Sequence, residues 1–211
     1  MPALSSLDIE FRYTGDADSP SNAYLSRGGS ILSTIIPDTI NNIFDDVTGD
    51  ESQTGTVEYR GIAIYINTFN TQAARDALKP RIWISGYSSD APDSIAIAAS
   101  TFGLNANQMG SLSSEYGPMV EENLQWVWEG ESKTIYFGTD NAPTTIQPSQ
   151  EGTLLSEHWV GLWLMRSVPP DSGAYSNRVC TITFRCESSA SPYHVIIERT
   201  FEIEFSGNPV C

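Results

Sequence analysis

Cysteine, lysine and histidine are scarce in this sequence, and each shortage closes off a class of function. The lysines are Lys79 and Lys133, the histidines His158 and His194, and the cysteines Cys180, Cys186 and Cys211. With 26 acids against 11 bases, the formal net charge is −15. Such a balance repels phosphate backbones and anionic lipid headgroups, so neither nucleic acid nor a membrane surface is an expected partner. The apolar run 159–165 falls far short of the roughly 20 residues that span a bilayer. The start Met1-Pro2-Ala3 lacks the basic opening and apolar core of a secretory signal, so a cytosol is the expected site of synthesis.

The cysteines offer neither a CxxC motif nor a nearby histidine pair, which argues against zinc and dithiol chemistry. Cys180 and Cys186 fall on one predicted strand, where about 3.3 Å per residue separates their Cα atoms by roughly 20 Å. A disulfide cannot reach that far, and all three thiols are expected to be free.

Catalytic groups are equally thin. The two histidines precede or open predicted strands, and no Gly-x-Ser-x-Gly elbow is present. Ser26-Arg-Gly-Gly-Ser30 is glycine-rich but lacks the lysine and the strand–helix setting of a phosphate loop, and it reads as a turn. No catalytic residue and no cofactor is assigned, and the protein is expected not to be an enzyme.

What the sequence has in abundance is alternation. Leu7, Ile9, Phe11 and Tyr13 mark a half-buried strand, and residues 57–66 begin alternating and then turn solidly apolar. Further strands are predicted at 81–85, 94–98, 125–129, 134–137, 159–166, 179–186 and 195–205, with 125–129 and 134–137 forming a hairpin about Gly130-Glu-Ser132. Ile62, Ile64, Trp83, Leu162, Leu164, Ile182 and Phe184 are the predicted core. Helix is confined to two short candidates, 38–44 behind an Asp38 cap and 71–78, both placed to plug sandwich ends. The expected fold is all-β: one elaborated antiparallel β-sandwich over residues 1–211, Ig-like or jelly-roll-like. Long loops are expected at 16–33, 103–123 and 138–150, and loops of this length commonly carry function.

Two clusters suggest ligands. Asp45, Asp46, Asp50 and Glu51 surround a glycine and are weak candidate calcium ligands, because their spacing is not that of an EF-hand; a solvated turn leading into the strand at Val57 is the preferred reading. Trp126 and Trp128 share a strand face beside Glu121, Glu122, Glu129 and Glu131. Burial in a core or interface is the preferred reading, with stacking on a sugar ring as the alternative. Paired carboxylates are also the equipment of glycoside hydrolases, the reading carried for completeness.

The segment Asn41-Asn-Ile-Phe-Asp-Asp-Val-Thr-Gly-Asp-Glu51, followed by Gly55-Thr-Val-Glu-Tyr-Arg60, resembles a group of tailed-bacteriophage virion-associated proteins. The alternating strand at 7–13, the Gly28-Gly-Ser30 segment and the later Leu162-Trp-Leu-Met-Arg-Ser-Val-Pro169 fit the same pattern. The chain departs from it at Gly61, where cysteine is common, and in its Trp-rich middle. The resemblance implies a β-sandwich accessory protein of the virion, assembled in the bacterial host cytoplasm. It would act as capsid decoration or cement, or as a tail or baseplate component. Its partners would be other virion proteins and further copies of itself in a symmetric assembly. Tyr24, Tyr87, Tyr116 and Met119, in or beside loops, are the expected interface contacts, since aromatic and Met side chains are favoured in interface cores. The alternative function is a carbohydrate-binding module of an adhesion device.

Overall fold

The alternating segments pair into two antiparallel sheets. The computed structural model describes residues 3–15, 25–69, 75–105, 108–117, 119, 121–138, 152–189 and 195–207. Tyr24, His194, Cys211 and nearly all of the 138–150 loop lie outside them. A seven-stranded sheet runs in the order β6 (Met109–Ser111), β2 (Gly28–Ile35), β1 (Ile9–Gly15), β3 (Thr56–Ile66), β10 (Trp159–Val168), β5 (Ser94–Ala99) and β7 (Val127–Trp128). The second sheet runs β12 (Ile196–Gly207), β11 (Tyr175–Ser188), β4 (Ala77–Tyr87) and β8 (Ile135–Tyr136), with β9 (Thr153–Leu154) also paired to β4. The fold is therefore the antiparallel β-sandwich that the alternation requires.

Register decides which side chains meet. Leu162 lies opposite Ile62 and Val160 opposite Ile64, and all four are buried in the main core between the sheets. Ile182 and Phe184 face them from β11, opposite Ile84 and Ile82 of β4. Trp83 departs from the predicted core: Ile82 and Ile84 take the inward positions, so period-two geometry turns Trp83 to the outer face. Cys180 and Cys186 are both buried and free along β11, as strand geometry demands.

β10 is buried on both faces, because a second apolar cluster covers the outside of the seven-stranded sheet. Met109 and Leu112 pack there on Trp159 and Trp163, with Met119, Leu124 and Trp126 beside them. Met109, Leu112 and Met119, in the stretch 103–123 expected to be a long loop, thus belong to a flap over a small core. Backbones come very close beneath it. A Cβ on Gly61 would lie 2.7 Å from the Gly28 nitrogen, and one on Gly28 would lie 1.7 Å from the Gly110 oxygen. A cysteine at position 61 does not fit this arrangement.

Four local expectations change. β7 pairs with β5 and β8 with β4, so 125–129 and 134–137 belong to different sheets and form no hairpin. Gly28 and Gly29, both at positive φ, open strand β2 where a turn was expected. Residues 38–44 form turns and bends in place of a helix: Asn41 is left-handed, and the Asn42 amide donates to the Glu202 and Pro37 carbonyls. Ile43 and Phe44 still plug the sandwich end, while Ile40 is exposed. Of the other helix candidate, Ala77 and Leu78 belong to β4, and 71–74 lie outside the described residues. The one α-helix among the described residues is α1 (Gly49–Thr54), inside the acidic cluster.

Candidate functional site

The inward register of β3 and β10 does not stay apolar. Beyond Ile62 it continues to Arg60 and Glu58, and beyond Leu164 to Arg166, which lies opposite Glu58. All three are fully or almost fully buried. Arg166 binds Glu58 through Nε at 2.6 Å and donates to the Asp45 carbonyl at 2.6 Å. Its guanidinium lies 5.0 Å from the Phe44 ring centre and 4.9 Å from that of Phe205. Arg60 meets Glu115 at 2.5 Å and the Asp45 carboxylate at 3.6 Å. A third buried arginine, Arg178, holds Asp93 at 3.2 Å and pairs with Glu129. Burial outweighs the Arg178 charge at Asp93 and pushes its carboxyl up to about 6.

This network takes apart the calcium candidates. Asp45 serves Arg60 and Arg166, and Asp46 accepts from the Ser206 amide. Glu51 closes a capping box with Thr48 at the start of α1, where Asp50 lies in the first turn. Burial alone would raise Glu51, but the Thr48 amide and hydroxyl and the Tyr116 hydroxyl hold it below the ordinary carboxylate value. The four acids occupy three different structural roles. A separate trio, the exposed Asp38 and Glu202 with the half-buried Glu204, brings carboxylate oxygens within 4.8 Å of one another.

The carboxylates beside the tryptophans are also engaged. Glu121 is buried and accepts from the Ser100 and Thr101 hydroxyls and the Thr101 and Gly110 amides. Glu129 belongs to Arg178, and Glu131 pairs with Lys133 at 3.0 Å; Glu122 is exposed. Trp126 leans on Tyr59 at 5.9 Å within the second apolar cluster, and Trp128 is half-buried on β7. His158 is exposed, with Nδ1 2.9 Å from the Ser156 carbonyl oxygen.

Of the expected interface residues, Tyr87 and Tyr116 are 46% and 55% exposed, and Tyr116 donates to Glu51. Met119 turns inward to the second apolar cluster. Larger apolar exposure lies elsewhere. Leu7, Phe69, Phe102, Leu155, Val195 and Ile196 are exposed near strand ends at the end of the sandwich opposite the buried arginines. Phe69 reaches 82% and Leu7 77%. Sequence reading missed this end because the residues come singly, from separate connections.

The outer face of the second sheet carries an open cleft of about 430 Å³ around Trp83. Arg81, Arg185, Lys133 and Glu131 line it, with the Ser85, Ser132 and Thr134 hydroxyls. Arg81 lies directly across from Arg185 in the β4–β11 ladder and from Tyr136 in the β4–β8 ladder.

No protein-family model matches the sequence, and the search of characterised proteins gave no match. Solved structures give distant likenesses. The ASH/PapD-like domain 7 of human CEP192 is 10% identical, with a TM-score of 0.33 over 100% of this chain and 89% of that one. A family 123 glycoside hydrolase from Clostridium perfringens is 10% identical, with a TM-score of 0.32 over 79% of this chain and 23% of the enzyme. AvmM, which catalyses macrocyclization in alchivemycin A biosynthesis, is 6% identical, with a TM-score of 0.31 over 79% of this chain and 86% of that one. At these TM-scores the likenesses carry no functional argument, and the sandwich rests on its own strand pairing.

Proposed function

We propose that this protein is a non-enzymatic structural component of a tailed-bacteriophage particle, docked onto other virion proteins or further copies of itself. One observation carries the reading: the most exposed large apolar side chains among the described residues, Phe69 and Leu7, both stand near strand ends at the end of the sandwich away from the buried arginines. Large apolar groups exposed to this degree favour a partner that covers them. The sequence resemblance to virion-associated proteins supplies the kind of partner, and the high negative charge keeps the free protein soluble until it docks. A docking role also suits the acids, since Glu58, Glu121 and Glu129 are spent on structural bonds.

Mass spectrometry of purified particles tests this reading. The protein should be present, with copies on the order of hundreds for a head position and fewer for a tail position in a symmetric shell. Absence from particles overturns the proposal. A Leu7→Asp, Phe69→Asp variant should fold normally and fail to incorporate.

The second reading, carbohydrate binding within an adhesion device, is favoured by one feature. Trp83 lies in an open, hydroxyl-lined cleft, whereas Trp126 packs into the second apolar cluster.

A further inference from the structure

The Trp83 cleft concentrates positive charge on a strongly negative protein. The chain has 11 bases, and three of its arginines are buried in ion pairs. Of the remainder, Arg81, Arg185 and Lys133 line this one cleft, where the single lining carboxylate, Glu131, pairs with Lys133 at 3.0 Å and leaves the surplus charge on the arginines. A smaller depression of about 80 Å³ adjoins it and shares Arg81 and Arg185, adding Lys79 and Glu187, which pair with each other at 3.1 Å.

Arg81 and Arg185 are direct cross-strand neighbours. Like charges placed opposite each other in a sheet are destabilising. Glu198 relieves one side, at 3.2 Å from Arg185, but Arg81 has no ion pair among the described residues. Two opposed guanidiniums, half-satisfied, are a natural seat for a carboxylate, which accepts forked hydrogen bonds from arginine. Two residues further along β4, on the same face, Trp83 offers an indole surface, and Ser85 and Thr183 join hydroxyls at 2.7 Å beside it. A flat apolar ring next to hydroxyls and cations matches a sugar ring bearing an acid.

We propose that the Trp83 cleft binds an acidic oligosaccharide, with one pyranose face on Trp83 and a ring carboxylate bridging Arg81 and Arg185. This inference rests on the carbohydrate-binding reading and is independent of where the protein docks.

The test is calorimetric titration of the full chain with tetragalacturonate, alongside neutral maltotetraose and a tetraglutamate peptide. Tetragalacturonate alone should bind. Arg81→Gln should weaken it about tenfold or more, the loss expected for a charge-assisted hydrogen bond. Trp83→Ala should abolish binding with unchanged circular dichroism, and Trp126→Ala should leave it intact. Lys133→Gln, on an exposed connection, provides a second charge variant should either sheet variant misfold, and it should weaken binding severalfold. Equal binding of maltotetraose would overturn acid recognition and leave carbohydrate binding standing. Binding of tetraglutamate as tight as that of the sugar would overturn the saccharide assignment. If neither sugar binds, both the inference and the reading beneath it fall.

Discussion

Arg166 and Arg81 are the same residue type on the two facing sheets, yet their surroundings are opposite. Arg166 points between the sheets, where Glu58, the Asp45 carbonyl and the rings of Phe44 and Phe205 meet every side of it. Arg81 points outward, opposite another arginine, beside Trp83 and open solvent. Desolvating a charge costs several kcal/mol, so inside the sandwich a guanidinium is retained only with its partners supplied. On the outer face water does that work, and an unbalanced pair survives at small cost. The contrast separates charge that holds the fold together from charge left available to a ligand.

Breaking the inner network should have the largest effect. Arg166→Ala strands Glu58 in the core and should cost about 3–5 kcal/mol, read as a fall in the urea midpoint. Replacing both partners, Arg166→Met with Glu58→Met, should recover most of that loss. If the double variant is as unstable as the single one, the network holds the fold through more than this pair. Next comes Glu121→Ala, which unties the flap from Ser100, Thr101 and Gly110. It should cost about 1–3 kcal/mol and raise hydrogen exchange at Gly110, because buried donors lose their acceptor.

Asp93 sharpens the comparison through pH. Its carboxyl titrates at about 6 in the fold against an ordinary value of 3.8. Between those values the native state holds a proton that the unfolded chain has released. This group therefore adds stability as pH falls from 6 towards 4, and the contribution is lost as pH rises through 6. Asp93→Asn should flatten that part of the stability profile, a change on the order of 1 kcal/mol per pKa unit removed. Smallest of all should be Arg81→Thr. It relieves the opposed arginines and should leave stability within about 0.5 kcal/mol of the parent, or slightly above it. A loss on the scale of Arg166→Ala would show that Arg81 is structural after all.

Period-two alternation carried the architecture: the segments around Ile62, Leu162 and Ile182 read as strands and pair as strands. The same period held the truth about Trp83. In Arg81-Ile-Trp-Ile-Ser85 the indole alternates with Ile82 and Ile84 and falls in step with Arg81 and Ser85. Its bulk suggested burial where its position indicated exposure. The helix α1 was also legible, since Thr48-Gly-Asp-Glu51 is a capping box, but the density of acids drew attention to calcium. The buried arginines were less accessible. Only the register of β3 on β10 shows that Arg60 and Arg166 face inward, and register is a tertiary fact. The false hairpin has a similar cause: two-residue strands carry too little pattern to reveal which sheet they join.

The near-contact of Gly28, Gly61 and Gly110 binds three distant stretches of sequence into one unit of inheritance. A cysteine placed at position 61 would have to move the strand at Gly28 outward, and with it the flap that seals Trp163. Substitutions at these three positions should therefore travel together among relatives, and a side chain grafted at one of them alone should spring the flap open.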